Sequence, residues 1–177
     1  MTRARLVLLA FSCAFLVSGR APQGPMSAAD ALSGAIDPSA YIHQKLAELN
    51  PQLTDAQIGR IEEAILRYSS KYSLDPLLVT AVIEVESSAQ PWALSPSGAL
   101  GLMQVMPYMI RPMGLAGNAS TVEANIEAGC AILAGNIRRL GEEDGISAYF
   151  WGSNIRGVTY LNRVRAARER LRREVPS

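Results

Sequence analysis

The rest of the chain is organised around the stretch Asp75-Pro-Leu-Leu-Val-Thr-Ala-Val-Ile-Glu-Val-Glu-Ser-Ser88, which combines a clear helix start with an unusual carboxylate. Asp75 can accept hydrogen bonds from the first free N–H groups of a helix, and proline suits the first helical position. The pattern therefore predicts a helix that begins at Pro76 and runs to about Ser88.

One face of this predicted helix is an apolar stripe that continues into a carboxylate. At 100° per residue the stripe consists of Leu78, Val79, Val82, Ile83, Val85 and Glu86. Glu84 lies about 200° around the helix from Glu86. It shares what we predict to be the more polar side with Leu77, Thr80, Ser87 and Ser88.

Glu86 is the candidate general acid of this stretch. A glutamate that continues an apolar stripe is partly desolvated, and desolvation raises its pKa toward the range that suits proton donation. The alternative is a glutamate at a frayed helix end that turns into solvent. Helix geometry alone does not choose between these two interpretations.

The segment Ser95-Pro-Ser-Gly-Ala-Leu-Gly-Leu-Met-Gln-Val-Met-Pro107 follows after a short break. We predict a short helix here, started by Ser95 and Pro96 and stopped by Pro107. Its glycines allow a close approach to another backbone. Gln104 is then presented as a neutral hydrogen-bond donor and acceptor.

Together the two stretches resemble the signature of the soluble lytic transglycosylase (SLT) domain, which is related to goose-type lysozyme. Two later segments also resemble the family, and the full set of matching positions is Glu86-Ser87, Ala93 to Gln104, Pro107, Asn125-Ile126 with Gly129, and Ala148-Tyr149 with Gly152. Phe150 departs from the family pattern, because asparagine is usual at that position. The resemblance covers roughly residues 56–165.

This resemblance implies a mainly α, lysozyme-like fold of the SLT type in a single domain. It implies cleavage of the β-1,4 bond between N-acetylmuramic acid (MurNAc) and N-acetylglucosamine (GlcNAc) in peptidoglycan, without a metal or another cofactor. Glu86 is then the catalytic residue. The implied substrate-binding residues are Ser87, Gly101, Met103, Gln104, Tyr149 and Tyr160.

The number of nearby carboxylates bears on the mechanism. A glycosidase that uses two carboxyl groups needs a second Asp or Glu about 5–10 Å from the acid. No acidic residue occurs between Ser87 and Val122, and capping or solvation accounts for Glu123, Glu127, Glu142, Glu143 and Asp144. Glu86 alone suffices if the C6 hydroxyl of the sugar is the nucleophile, which closes a 1,6-anhydro ring without water.

Two other functions stay open at this point. The first is a hydrolase of the goose-type lysozyme kind, in which one of the later carboxylates activates water. The second is a non-catalytic module for wall binding or secretion-system assembly that keeps the fold. Glu86 argues against the second, because a binding module has no need for a desolvated acid.

Composition limits the architecture and the partners. The chain has 177 residues, of which 49% are hydrophobic, which is enough for one domain with a core and too few for two. Its formal net charge of +1 creates no global field toward nucleic acid, so we expect no nucleic-acid partner. We expect a monomer whose partners are peptidoglycan strands and an envelope-spanning secretion machinery.

The first residues have the pattern of an export signal. Arg3 and Arg5 precede an apolar run over residues 6–17, and this run is too short for a comfortable membrane span. We predict a signal peptide over residues 1–20, a linker over 21–37 and the lysozyme-like domain over 38–177, in a periplasmic protein. Cys13 follows a poor lipobox, so a membrane-tethered form is the less favoured alternative.

Cys130 and His43 are the other side chains with the chemistry for catalysis or metal binding. Cys130 lies in an apolar helix pattern and is predicted to be a small core residue rather than a nucleophile. His43 has no companion ligand or base near it in the sequence, so we predict a surface histidine. No zinc site or Cys/His mechanism can be built from these residues.

The remaining sequence predicts helices and no strand of convincing length. Helices are predicted to end at Asn50, to run from 54 to 71, to follow a capping box at Ser120, and to occupy 146–151 and 156–174. Residues 108–118 are predicted to form a loop, and a groove could be lined by Met106, Tyr108, Met109 and Met113. The arginines of the last helix are predicted to form a solvated face rather than a contact with an anionic surface.

Overall fold

Helices make up the fold in the computed structural model, which describes residues 38–110 and 121–174. In these two ranges the helices are α1 (Ser39–Leu49), α2 (Asp55–Tyr72), α3 (Pro76–Ser87), α4 (Pro107–Ile110), α5 (Val122–Leu140), α6 (Glu142–Trp151) and α7 (Thr159–Glu174). The same ranges contain no strand, only two isolated β-bridges, Leu94 with Leu100 and Leu100 with Val105. The predicted mainly α class is confirmed.

The starts of α2 and α3 follow from side chains next to them in the sequence. Thr54 and Gln57 form a capping box at the start of α2. Asp75 accepts a hydrogen bond from the Leu77 N–H at 2.9 Å, and Pro76 is the first residue of α3. The predicted start of the central helix is therefore confirmed, and its end lies at Ser87, one residue before the predicted one.

Helix α3 is buried on all sides over its first two turns. Every residue from Leu77 to Ile83 is buried, and α3 packs against α1, α2 and α7. The prediction that Leu77 and Thr80 face a polar side is therefore wrong. The Thr80 hydroxyl donates to the Pro76 carbonyl at 2.9 Å, so this polar group is satisfied inside the helix and needs no solvent.

The described residues share one hydrophobic core, to which α1, α2, α3, α5, α6 and α7 all contribute. The largest fully buried side chains are Ile42, Leu46, Ile61, Ile65, Leu78, Ile83, Leu102, Met103, Ile126, Leu133, Ile146 and Leu171. Cys130 is buried in this core, and burial raises the pKa of its thiol to about 12. The prediction of an inert core cysteine is confirmed.

Residues 95–106 are not helical, so the predicted short helix is wrong. The backbone has positive φ at three positions, Gly98 (φ +89°), Gly101 (φ +72°) and Gln104 (φ +47°). A right-handed helix cannot pass through such positions, and the segment instead folds back on itself through the two β-bridges. Pro107 does not stop a helix but begins α4, so residues 108–110 are helical where a loop was predicted.

Other helix boundaries differ from the predicted ones by a few residues. The cap of α5 is Thr121, which accepts from the Ala124 N–H at 3.3 Å. Helix α6 begins at Glu142, four residues before the predicted start, because three acidic residues favour its N-terminal turn. Helix α7 begins at Thr159 instead of Arg156.

Arginines of α7 contact acidic side chains elsewhere in the domain. The prediction of a solvated face did not include these contacts. Arg168 lies 2.7 Å from Asp75 and 2.8 Å from Glu142, with 14% of its side chain exposed. Arg170 lies 2.5 Å from Glu84. Exposed ion pairs contribute only about 0–1 kcal/mol each, so the packing of α7 depends mainly on its buried side chains, Tyr160, Leu161, Val164, Ala167 and Leu171.

His43 has a partner that the sequence did not indicate. Its Nδ1 lies 2.9 Å from Glu62 Oε2, one helix away, and 42% of its side chain is exposed. The predicted surface position of His43 is confirmed, but the prediction that it has no partner nearby is wrong.

The chain divides into the units Met1–Ala35 and Ile36–Ser177, and all described residues lie in the second. Several predictions fall outside the described residues: the signal peptide, the linker, Cys13, Met113 and Ser120. Within the part that is described, no helix combines the length and hydropathy needed to cross a bilayer.

Candidate active site

A groove of about 220 Å³ runs past the C-terminal end of α3. Its described lining residues come from α3, the 95–106 loop and helices α4, α5 and α6: Glu86, Ser95, Ser97, Ala99, Gln104, Val105, Met106, Met109, Ile132, Tyr149 and Phe150. Glu86 is the one acidic residue among them. The groove therefore offers a single carboxyl group in mainly apolar surroundings.

Glu86 occupies an environment that favours its protonated form. Burial raises the pKa of this carboxyl, while a hydrogen bond from Tyr160 and the charge of Arg163 act in the opposite direction without cancelling the effect. The Tyr160 hydroxyl donates to Glu86 Oε1 at 2.6 Å. The alternative of a frayed, solvated glutamate is therefore wrong.

Helix α7 brings two polar side chains to the neighbourhood of Glu86, and the first, Tyr160, lies 74 residues further along the chain. Tyr160 lies in its first turn, and Arg163 lies one turn later and donates to the Val85 carbonyl at 3.3 Å. Arg163 was not among the predicted site residues, because nothing in the local sequence links it to α3. Only the packing of α7 against α3 reveals this proximity.

A second tyrosine, Tyr149, lines the groove. The Tyr149 hydroxyl donates to the Met103 carbonyl at 2.8 Å. Burial, with the charge of Glu86 as a smaller cause, raises the pKa of both Tyr149 and Tyr160 well above the ordinary value. Both hydroxyls therefore remain neutral hydrogen-bond donors at physiological pH.

Asn125 fixes the 95–106 loop on helix α5. Its Oδ1 accepts from the Met103 N–H at 2.9 Å, and its Nδ2 donates to the Leu100 carbonyl at 2.8 Å. Gly101 faces this amide so closely that an added Cβ would lie 2.6 Å from Asn125 Nδ2. Gly129 on the same helix leaves room for the Met103 side chain. The loop and α5 therefore fit together through two glycines and one buried amide.

Three of the predicted substrate-binding residues support the site from behind. Ser87 Oγ lies 2.8 Å from the Leu102 carbonyl, which ties the end of α3 to the loop. Gly101 turns the loop at positive φ. Met103 is fully buried, so its side chain cannot contact a substrate, and the prediction of direct contact is replaced by a packing role.

The other predicted residues reach the groove or its acid. Gln104 and Tyr149 line the groove, and Tyr160 contacts Glu86. The Gln104 amide nitrogen donates to the Ala93 and Gly101 carbonyls, at 3.2 Å and 3.0 Å. This amide thus stabilises the loop as well as facing the groove.

Four of the later carboxylates, Glu123, Glu127, Glu142 and Glu143, have basic partners, and none of them lines the groove. Glu123 pairs with Arg60 at 2.5 Å, and Glu127 pairs with Lys71. Glu142 and Glu143 pair with arginines of α7. Across residues 38–110 and 121–174, no group of three or more His, Cys, Asp or Glu side chains is arranged to hold a metal ion.

The fold and the groove define a helical, lysozyme-like domain with one half-buried glutamate at its centre. The same fold occurs in the 70 kDa soluble lytic transglycosylase Slt70 from Escherichia coli, with a TM-score of 0.51 and 21% sequence identity. That match covers 73% of this chain and 24% of the Slt70 chain. The chain belongs to the Transglycosylase SLT domain family, whose model matches residues 63–168.

Curated relatives resemble this chain over about half of its length. The transglycosylase of Enterobacteria phage PRD1 is 41% identical over 93 residues, which are 52% of this chain and 35% of the phage protein. The membrane-bound lytic murein transglycosylase C of Photorhabdus laumondii is 35% identical over 97 residues, which are 49% of this chain and 27% of that protein. The matched part is thus about a third or less of the length of these relatives.

Proposed function

We propose that this protein is a peptidoglycan lytic transglycosylase that cleaves the β-1,4 bond between MurNAc and GlcNAc without water. The observation that carries the proposal is Glu86, a half-buried carboxyl with a raised pKa and the one acidic residue among the described groove residues. Membership of the SLT family and the transglycosylase names of the relatives support it.

In the first step Glu86 acts as the general acid. The protonated carboxyl gives its proton to the glycosidic oxygen, the bond from MurNAc C1 to that oxygen breaks, and GlcNAc leaves with a new hydroxyl. Burial favours the protonated form before the reaction. Tyr160 and Arg163 then stabilise the carboxylate that remains, through the 2.6 Å hydrogen bond and through charge.

In the second step the same carboxylate acts as the general base. Glu86 takes the proton from the C6 hydroxyl of the same MurNAc ring, and the C6 oxygen forms a bond to C1. This closes the 1,6-anhydro ring and returns Glu86 to its protonated form, so each cycle begins and ends with the same acid. The proton balance requires neither water nor a second carboxylate.

The groove residues supply the positioning in this mechanism. We assign the substrate contacts to Gln104 and Tyr149, which line the groove. Ser87 and Gly101 act through the loop that they hold, and Met103 acts through packing.

The composition of the products tests the mechanism. Digestion of purified peptidoglycan with a chelator present is expected to proceed and to give 1,6-anhydro-MurNAc ends, because Glu86 needs no metal and the sugar supplies its own nucleophile. Mass spectrometry should find each product lighter by one water than the product of a lysozyme digest. Reducing MurNAc ends would instead indicate a goose-type hydrolase, and intact peptidoglycan would indicate a non-catalytic module.

We also propose that the protein is exported and acts in the periplasm. Its proposed substrate lies outside the cytoplasmic membrane, and Arg3, Arg5 and the apolar run over residues 6–17 have the pattern of a signal. We expect the protein to act there as a monomer, beside an envelope-spanning secretion machinery.

N-terminal sequencing of protein from a periplasmic extract is expected to find a start between Arg20 and Asp30. An intact Met1 or a lipid on Cys13 would contradict soluble export.

A further inference from the structure

Phe150 is an exposed aromatic ring inside the groove that contains Glu86. The large hydrophobic side chains that stand exposed in the described ranges are Trp92, Leu94, Tyr108, Phe150, Ile155 and Val158. Of these, Phe150 alone is among the described lining residues of the groove, and 55% of it is exposed. The resemblance to the family predicts asparagine at this position, and this chain carries an aromatic ring there instead.

Two aromatic neighbours hold the ring in place. The centroid of Phe150 lies 5.0 Å from that of Tyr160, with 18° between the ring planes, which is a stacked arrangement. Trp151 packs against it edge-on, at 4.9 Å and 90°. Tyr160 is itself fixed by its hydrogen bond to Glu86. The exposed surface of Phe150 is therefore preorganised next to the proposed acid.

The neighbouring wall of the groove has the same apolar character. Met106, Met109 and Ile132 line it together with Phe150. A pyranose ring has an apolar face of C–H groups as well as a rim of hydroxyls, and an aromatic ring can cover that face. Asparagine would instead offer hydrogen bonds to the polar rim, so the two side chains select different contacts.

We propose that Phe150 is a specificity-determining substrate contact, a platform on which the apolar face of a sugar ring next to the cleaved bond stacks. The inference rests on the proposed function, because the substrate that enters the Glu86 groove is the ligand that covers the ring. Phe150 thus contributes affinity by losing exposed apolar surface, and Tyr160 supports it from the other side.

Binding of an uncleaved ligand tests this role. The probe is a tetrasaccharide of alternating GlcNAc and MurNAc, titrated calorimetrically into Glu86→Gln protein so that no reaction occurs. Covering a ring that is 55% exposed buries about half of a phenylalanine side chain, so Phe150→Ala is expected to weaken binding about tenfold. Phe150→Tyr keeps the ring and is expected to bind within about twofold of the parent, whereas Phe150→Leu keeps apolar surface but loses the flat ring and should bind more weakly than the parent and more tightly than Phe150→Ala.

A variant of Tyr160 distinguishes sugar binding on Phe150 from the effect of the Tyr160 hydroxyl on Glu86. Tyr160→Phe keeps the stacked ring and removes the hydroxyl that donates to Glu86, so tetrasaccharide binding should stay unchanged. The hydrogen bond from Tyr160 lowers the pKa of Glu86, so its loss should raise that pKa. In the active protein the alkaline limb of the rate–pH profile should therefore move to higher pH. Arg163 and Tyr149, the other groups that interact with Glu86, are unaltered in this variant.

The outcomes distinguish the inference from the function on which it rests. Equal affinity for Phe150→Ala and the parent, or for Phe150→Leu and the parent, would overturn the stacking platform and leave the lytic transglycosylase proposal intact. Tetrasaccharide binding that is absent in the parent Glu86→Gln protein would contradict the proposed function itself.

Discussion

Glu86→Gln is expected to reduce the cleavage of purified peptidoglycan by about 10³-fold or more, because one carboxyl serves as both acid and base. Glutamine keeps the size of the side chain and can still accept the hydrogen bond from Tyr160, but it has no proton to give. Release of soluble muropeptides, followed by chromatography, measures the effect. Substantial remaining activity would show that another group carries the reaction.

The matched control is Glu84→Gln, two residues earlier in the same helix. Glu84 pairs with Arg170 at 2.5 Å and with Lys45 at 3.8 Å, and it does not line the groove. This substitution is expected to leave the rate within about twofold, since exposed or partly exposed ion pairs contribute little to the site. Equal losses in the two variants would point to a general effect on α3 rather than to catalysis.

The stability of Glu86→Gln reports on the same carboxyl. The folded pKa of Glu86 lies above its ordinary value, so the protonated side chain stabilises the fold at acidic pH, and this contribution is lost as pH rises through the folded pKa. The neutral glutamine avoids that loss. Thermal unfolding should therefore find the variant at least as stable as the wild type at pH 7, with the difference closing below the ordinary carboxyl pKa.

Asn125→Ala is expected to lower the free energy of unfolding by about 2–4 kcal/mol and the activity by about 10²-fold. The change leaves the Met103 N–H and the Leu100 carbonyl without their bonds, of 2.9 Å and 2.8 Å, in a buried position. It also releases the loop that carries Gln104 into the groove. Urea unfolding and muropeptide release measure the two effects.

Asn136→Ala is the control on the same helix. Asn136 accepts a long 3.4 Å hydrogen bond from Arg139 at the surface, so its removal should change both stability and activity little. An Asn125→Ala protein with the wild-type urea midpoint would mean that Asn125 does not hold the loop.

The sequence predicted the central helix well because its signals are local. Asp75 and Pro76 act on N–H groups within four residues of themselves, so no distant contact is needed to decide where α3 begins. The periodicity that placed Glu86 on an apolar stripe is equally local, and burial of this carboxyl agrees with it. The same stripe argument failed for Thr80, because α3 packs against α1, α2 and α7 and the side that the pattern marked as polar is buried as well.

For the 95–106 loop, the local sequence predicted the wrong conformation. Its start, Ser95-Pro96, is a good helix signal, but the backbone adopts positive φ at Gly98, Gly101 and Gln104. Asn125 stabilises that conformation from a helix more than twenty residues away. A distant hydrogen-bond partner thus decides the conformation of a segment whose own residues favour another one.

By itself, then, the sequence determined the helical class, the start of α3 and the carboxyl on its apolar stripe, since each depends on residues within a few positions of one another. Only the tertiary structure decided what surrounds that carboxyl. Tyr160 bonds to Glu86, and Arg163 bonds to the neighbouring Val85 carbonyl, because α7 packs on α3. The ion pairs of Arg168 with Asp75 and Glu142 also join α7 to the start of α3 and to α6. Such contacts join residues that are far apart in the chain, and no local periodicity encodes them.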